Sequence, residues 1–223
     1  MSQRRTLRLA HRGDWRVAPE NTLAALAAAI RVPACDGVEF DVQLSRDDVP
    51  VVLHDATLAR VQHRPERADA LDAAELATAG IPTLADTLAM LGPEPFLDVE
   101  LKGDAHGDAT AAILRAARGD TGSRAVASSF DPPSLVAMAD RLPGWTLWLG
   151  AMALNADAIS LALELGCRGL AVDWRTITPA SSRAAHAAGL EVAAWTVRRR
   201  PTFARLERLG VVACCVEAAA LDG

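Results

Sequence analysis

The feature that most constrains the fold is a regular alternation of short apolar runs with helical segments, which begins at Phe96 and continues to the end of the sequence. Each run is rich in Val, Leu or Ala, and turn residues separate it from the helical pattern that follows. This order predicts parallel strands joined by helices, because two parallel strands need a long crossover between them. The predicted strands of this part are Phe96–Leu101, Ala125–Ser129, Thr146–Leu149, Gly169–Val172, Glu191–Trp195 and Val211–Val216.

Two further strands are predicted in the first part of the chain, Leu7–Ala10 and Gly37–Gln43. A hairpin arm, Val49–Leu53, lies in a segment at about residues 44–82 that we interpret as a short insertion after the second strand. Without that arm the strands number eight, which predicts an α/β chain with one domain over residues 1–223 and the fold of a (β/α)₈ TIM barrel. The alternative, an open doubly wound sheet, is disfavoured because no GxGxxG motif follows an early strand.

Acidic residues occur in pairs with a spacing of two in the second and third predicted strands. Glu39 and Asp41 alternate with apolar residues, so both side chains point to one face of their strand. Glu100 and Lys102 share a face in the same way. Neighbouring carboxylates repel each other unless a cation lies between them, and carboxylate oxygens favour Mg²⁺ or Ca²⁺. This pattern therefore indicates a divalent cation site, whereas Asp98, one layer deeper, is expected to form a structural ion pair.

Polar residues stand at the ends of the first three predicted barrel strands. The carboxyl ends of barrel strands converge on one mouth, so these residues are expected to surround one cavity. An arginine and a lysine beside a divalent cation suit an anionic group such as phosphate. The hairpin would carry His54 over the cavity, and Asp55 would orient the hairpin or a neighbouring group. The residues expected at the mouth are His11, Arg12, Glu39, Asp41, Glu100 and Lys102.

Composition excludes several other classes of function. The formal net charge is −5 and the basic residues are scattered, so no basic surface for nucleic acid or an anionic membrane is indicated. The longest apolar run, Leu23–Ile30, is too short to span a bilayer, and the first residues lack the apolar region of a signal peptide. We therefore expect a cytoplasmic protein without stable membrane insertion. Its partner is expected to be a small-molecule substrate, and its assembly a monomer or homodimer.

Several segments of the sequence together resemble the bacterial glycerophosphodiester phosphodiesterases (GDPD family). The resemblance spans nearly the whole chain, and its motifs HRG, PENT, E-x-D, HD and E-x-K are specific in combination although each is weak alone. It implies a barrel fold, a divalent cation, and hydrolysis of glycerophosphodiesters to sn-glycerol 3-phosphate and an alcohol in lipid and glycerol metabolism. The segments are AHRGDWRVAPENTLAALAAAI, GVEFDVQLSRDDVPVVLHDATLAR, IPTLADTL, LDVELKG, SSFDP and AAHAAGLEVAAWTV.

The resemblance also implies individual roles for residues of this chain. It implies that Glu20 and Asn21 shape the first loop, and that Trp195 packs against the glycerol carbons; the alternative for Trp195 is a place in the barrel core. The remaining roles are metal ligation by Glu39, Asp41 and Glu100, acid–base catalysis by His11 and His54, and phosphate contacts from Arg12 and Lys102.

The chain departs from the family pattern at two places. It has HDATLARVQHR where many relatives have HDPTLDRTTNG, which bears on the alcohol side of the pocket. It also has Cys215-Val216-Glu217 where the family usually has a Thr-Asp pair, so the mouth at the last strand is expected to differ.

The expected mechanism follows from the chemistry of a phosphate diester. Its negative charge must be neutralised, and its alkoxide leaving group must be protonated. We take His11 as the base and His54 as the acid, while the reverse order, direct attack by water and a cyclic phosphate intermediate all stay open. Two other functions are considered: a Mg²⁺-dependent barrel lyase or isomerase acting on an enolate, and a catalytically inactive binding barrel. The first leaves the two histidines and Arg12 unexplained, and the second would be expected to lack a catalytic residue or ligand.

Overall fold

The chain forms a closed barrel of eight parallel strands, with a ninth strand outside the closed ring. This computed structural model describes residues 5–223. The first strand pairs with both the second and the last, and this pairing closes the ring. The TIM-barrel prediction is therefore confirmed. In chain order the strands are β1 (Leu7–His11), β2 (Gly37–Leu44), β3 (Pro50–Val52), β4 (Phe96–Leu101), β5 (Ala125–Ser129), β6 (Thr146–Ala151), β7 (Gly169–Asp173), β8 (Glu191–Val197) and β9 (Ala213–Val216).

Helices connect the strands on the outside of the ring, and polar side chains begin many of them. The Thr22 hydroxyl accepts a hydrogen bond from the Ala25 amide at 3.2 Å and caps the first helix. Among the described residues, no helix combines the length and apolar character needed to cross a bilayer. The helices are α1 (Leu23–Ala29), α2 (Ala73–Thr78), α3 (Leu84–Leu91), α4 (Asp108–Arg118), α5 (Pro132–Arg141), α6 (Ala156–Glu164), α7 (Pro179–Ala187) and α8 (Arg200–Arg208).

The ninth strand, β3, forms the expected hairpin with β2. It runs antiparallel to β2 with Val42 opposite Val52, and His54 follows two residues later. The segment between β3 and α3 packs on a small apolar cluster of its own, which includes Val51, Leu58 and Leu76. The assignment of residues 1–223 to one domain with an insertion at about 44–82 stays a prediction.

Several strand ends lie one or two residues from their predicted positions, and the later start of the last strand has a local reason. The last strand begins at Ala213 and not at Val211, because the Val211 amide bonds to Leu206 O at 3.2 Å and closes the preceding turn. Helix α8 begins at Arg200, since Pro201 is compatible with the first helical turn.

Apolar side chains fill the lower half of the barrel interior. Trp148 is 2% exposed and is the largest of them; its indole stacks on Phe96 with the ring centroids 6.5 Å apart. Leu9, Val126 and Ala193 complete this layer. Because this layer closes the amino-terminal end, polar groups in the interior are concentrated towards the carboxyl ends of the strands.

Candidate active site

A cavity of about 330 Å³ opens at the carboxyl ends of the barrel strands. Of the residues predicted at the mouth, all but Asp41 line it directly, and Asp41 is buried next to it. A larger hollow of about 780 Å³ lies between the first loop and the residues around α2, but Arg64 and Asp86 are its only charged lining residues. The smaller cavity is therefore the candidate active site. Its lining is His11, Arg12, Glu39, His54, Asp98, Glu100, Lys102, Ser128, Ser129, Phe130, Gly150, Met152, Ala171, Trp195, Thr196 and Cys215.

Three carboxylates meet at one side of this cavity, as the sequence predicted. Glu39 and Asp41 project from β2 and Glu100 from β4, where Asp41 and Glu100 are direct register partners. One oxygen from each lies within 4.8 Å of the other two. Burial, together with the charges of Asp41 and Glu100, raises the pKa of Glu39 well above its usual range. Glu39 Oε1 is buried and accepts no hydrogen bond, so the cluster has a free buried oxygen ligand and an excess of negative charge.

Two cationic side chains lie against the carboxylates. Arg12 Nε is 3.1 Å from Asp41 Oδ2, and Lys102 Nζ is 3.1 Å from Asp41 Oδ1 and also contacts Glu100. Burial opposes ionisation of Asp41, but the charges of Arg12 and Lys102 outweigh it and lower the pKa of this carboxyl. Asn21 donates a further hydrogen bond to Asp41 Oδ2 at 2.9 Å. The positive charges hold Asp41 ionised without covering the free oxygen of Glu39.

The HRG segment holds Arg12 at the mouth through an unusual backbone conformation. Arg12 has φ of 58°, a left-handed value that is strained for a side chain of this size. Its amide donates to Glu39 O at 2.8 Å, which ties the turn to β2. Gly13 follows with φ of 89°, and a Cβ there would lie 2.6 Å from the Ala25 carbonyl carbon. The close approach of the loop to α1 therefore requires glycine.

His11 is held by a carboxylate from the other end of the chain. Its Nδ1 lies 2.6 Å from Glu217 Oε1, and Arg198 Nε donates to the second oxygen of Glu217 at 2.6 Å. Burial opposes ionisation of Glu217, but hydrogen bonds from His11 and Arg198 lower its pKa. An ionised carboxylate only accepts hydrogen bonds, so Nδ1 carries the proton and Nε2, 3.8 Å from Glu39 Oε2, is left for chemistry.

His54 has the same arrangement on the hairpin. Its Nδ1 lies 2.6 Å from Asp55 Oδ1, so Asp55 orients a neighbouring group as predicted. The amide nitrogen of Gln43, with its two hydrogens, lies 2.8–2.9 Å from the carbonyl oxygens of Leu53, His54 and Asp55 and supports the backbone that carries the ring. The His54 side chain is 33% exposed, which leaves it accessible from the open side of the cavity.

Two aromatic side chains in contact with each other also line the cavity. Trp195 satisfies its indole N–H by donating to Ala171 O at 3.0 Å and meets Phe130 edge to face at 5.6 Å. Trp195 thus contacts the barrel core and lines the cavity, so both alternatives considered for it describe part of its position. Phe130 lies over Gly150, where a Cβ would be 2.6 Å from the ring. Phe130 was not predicted as a site residue, although it stands in the SSFDP segment.

The floor of the cavity contains a carboxyl group that the sequence analysis placed in an ion pair. Among residues 5–223, Asp98 has no cationic partner; it accepts a hydrogen bond from Ser128 Oγ at 2.6 Å. Burial raises the pKa of Asp98 to about 7. The ion-pair prediction is wrong because Arg12 and Lys102 are bound to the carboxylates above. Cys215 Sγ, 4.0 Å from Asp98 Oδ2, marks the departure from the family pattern at the last strand.

The fold and the site define the class of protein. The carboxyl mouth of this TIM barrel holds an acidic cluster, two cationic side chains and two histidines that are bound to carboxylates. Such a combination is typical of an enzyme site for an anionic substrate. The model of the glycerophosphoryl diester phosphodiesterase family matches residues 11–220, and the chain belongs to that family. The resemblance found in the sequence and the enzyme class it implied are thereby confirmed.

Individual relatives agree with this assignment over most of their length. The chain is 29% identical to a glycerophosphodiester phosphodiesterase of Caldanaerobacter subterraneus subsp. tengcongensis, over 93% of this chain and 92% of the relative. It is similar in structure to a phosphodiesterase of Oleispira antarctica in complex with its product sn-glycerol-3-phosphate, with a TM-score of 0.80 and 25% identity over 95% of this chain and 93% of that one. A glycerophosphodiester phosphodiesterase of Agrobacterium tumefaciens has the same fold, with a TM-score of 0.83 and 24% identity over 97% of this chain and 98% of that one.

Proposed function

We propose that the protein hydrolyses glycerophosphodiesters to sn-glycerol 3-phosphate and an alcohol, with a divalent cation and a pair of histidines. The observation that carries this proposal is the meeting of three carboxylates and two carboxylate-bound histidines in one cavity. The Oleispira antarctica relative, whose structure contains sn-glycerol-3-phosphate, supports the choice of product. We expect the protein to act in the cytoplasm on small-molecule diesters, as a monomer or homodimer.

Glu39, Asp41 and Glu100 are the proposed ligands of the cation. Their oxygen donors and excess negative charge fit a hard ion, Mg²⁺ or Ca²⁺, and the free Glu39 Oε1 is a ready ligand atom. When bound, such an ion supplies charge neutralisation and polarisation of a phosphoryl oxygen.

Arg12 and Lys102 are the proposed phosphate contacts. Both side chains line the cavity and remain partly accessible, with 14% and 25% of their side-chain surface exposed. A diester carries one negative charge that repels nucleophiles, and fixed cations beside it lower that barrier. Trp195 and Phe130, which also line the cavity, would pack against the glycerol carbons.

The two histidines are the proposed acid–base pair. His11, with its proton held on Nδ1 by Glu217, has Nε2 free to accept a proton from the attacking hydroxyl. His54 Nε2 would give a proton to the departing alkoxide, because Asp55 holds the ring from Nδ1 and leaves Nε2 facing the cavity side of the ring. Glu217 and Asp55 are thus positioning residues for the two imidazoles.

The test is an assay with glycerophosphocholine and glycerophosphoethanolamine, with and without EDTA. We expect release of glycerol 3-phosphate that stops with EDTA and returns when Mg²⁺ or Ca²⁺ is added in excess. The variant His54→Ala should lose almost all activity and keep its fold, whereas His186→Ala, on the exposed face of α7, should behave as wild type. Metal-dependent turnover of a keto acid with none of a diester would instead indicate the enolate chemistry considered above.

A further inference from the structure

An arginine outside the cavity connects two of the loops that form its mouth. Arg60 follows the hairpin in the chain, and its Nε donates to Asp55 Oδ2 at 2.6 Å. Its two terminal nitrogens donate to the two oxygens of Glu20, in the loop after β1, at 2.7 and 2.8 Å. Arg60 therefore spans from the hairpin to a residue 40 positions earlier, and it is not among the residues that line the cavity.

Both carboxylates that Arg60 binds also hold a residue of the site. Asp55 accepts the Nδ1–H of His54 with its other oxygen, 2.6 Å away. Glu20 accepts a hydrogen bond from Arg12 Nη1 at 2.9 Å. A single carboxylate, that of Asp55, therefore links Arg60 to His54, the proposed acid. The carboxylate of Glu20 links it in the same way to Arg12, a proposed phosphate contact.

We propose that Arg60 is a positioning residue for both His54 and Arg12, acting through Asp55 and Glu20. The inference rests on the proposed function, since it assigns these two residues to proton transfer and phosphate binding. Single exposed ion pairs are weak, but a bidentate guanidinium–carboxylate contact within a network of charges has fixed geometry and is the exception. About half of the Arg60 side chain is exposed, and its hydrogen bonds to Asp55 and Glu20 fix the planar guanidinium between two loops.

The two connections predict two separate kinetic effects. Without Arg60, Glu20 has Arg12 as its remaining cationic partner, so Arg12 offers less positive charge to a phosphate and KM rises. Without Arg60, Asp55 loses the contact that fixes its second oxygen, so the imidazole of His54 is less well oriented and kcat falls. A residue that only stabilised the fold would change neither constant at temperatures below the unfolding transition.

The experiment compares Arg60→Gln and Arg60→Lys with the control Arg67→Gln. Arg67 is an exposed arginine of the same part of the chain, bound to Asp69 by two hydrogen bonds. Within residues 5–223 neither Arg67 nor Asp69 forms a hydrogen bond or ion pair with His54, Arg12 or the carboxylates that bind them, although Arg67 borders the same surface hollow as His54. We expect Arg60→Gln to lower kcat about tenfold and to raise KM several-fold, an effect usual for groups that orient catalytic residues. Arg60→Lys should restore either kcat or KM but not both, because a single ammonium group cannot bind Asp55 and Glu20 together as the planar guanidinium does. Arg67→Gln should stay within about twofold of wild type.

Double variants then separate the two routes. In a Glu20→Gln background, Arg60→Gln should no longer change KM; in an Asp55→Asn background, it should no longer change kcat. The inference is overturned if Arg60→Gln has the same kinetic constants as Arg67→Gln, or if its effects persist unchanged in both backgrounds. In either case an active wild type still upholds the proposed function. A wild type inactive on every diester would overturn the proposed function and this inference with it.

Discussion

Replacing Glu39 by Gln should stabilise the metal-free protein and remove its stabilisation by metal. Two unit charges 4.8 Å apart, the outer limit of the carboxylate cluster, repel by about 3.5 kcal/mol at an effective dielectric constant of about 20. Glu39 faces two such charges, Asp41 and Glu100, and Arg12 offsets part of the repulsion. We expect a net gain of about 2 kcal/mol from the neutral amide, or about 4–8 °C in Tm for a chain of 223 residues.

The same variant should respond differently to a divalent cation. At a hundredfold excess of metal over Kd, the wild type gains about 2.7 kcal/mol of stability, which corresponds to about 5–11 °C in Tm. Glu39→Gln lacks one of the three carboxylate ligands, so its Tm should change little with Mg²⁺ or Ca²⁺.

Calorimetric scans of wild type and variant, each with EDTA and with added metal, measure both effects. Glu164→Gln, on the exposed face of α6, is the control and should match wild type in every condition. The electrostatic account of the site is refuted if Glu39→Gln melts below wild type in EDTA and still gains stability from metal to the same extent.

Three further outcomes can be checked independently. Glu217→Gln should reduce kcat about 10- to 100-fold in steady-state assays below the unfolding transition, because the charge that orients His11 is lost. Hydrogen bonds from Arg16 lower the pKa of Asp14, so this group contributes stability that is present above about pH 4 and is lost as the pH falls through the lowered pKa. Asp14→Asn should therefore cost about 1 kcal/mol in urea unfolding at pH 7 and much less at pH 2; an equal cost at both would contradict the linkage. Burial raises the pKa of Cys214 to about 12, so its thiol should react with a thiol reagent at pH 8 only when urea unfolds the chain, and rapid labelling of native Cys214 would show that it is not enclosed.

Much of the site could be predicted because it depends on strand alternation. A spacing of two residues in a strand puts Glu39 and Asp41 on one face, and this does not depend on how the rest of the chain folds. The pairing of parallel strands in the barrel then brings Glu100 into register with Asp41. The hairpin was equally accessible to prediction, since turn chemistry and an apolar run fixed where His54 emerges. Both are consequences of short-range geometry.

The partners of these residues were harder to predict. Glu217 is 206 residues from His11 in the chain, and its contact depends on the pairing of β1 with β9, for which the local pattern has no signal. Asp98 was assigned an ion pair because it lies one layer deeper than Glu100, yet the cations were already engaged with Asp41 and Glu100. Competition among several acids for two cations is decided by three-dimensional distances, not by sequence spacing.

The bond between His11 and Glu217 has a consequence for synthesis of the protein. The first strand of the barrel leaves the ribosome long before the last one, so until β9 emerges His11 has no carboxylate to fix its tautomer and β1 has only one neighbour. A nascent or prematurely terminated chain that stops short of Glu217 contains the acidic residues and the hairpin sequence, but it lacks the carboxylate that binds His11. The carboxylate that fixes the His11 ring is therefore added only after translation has passed the final strand.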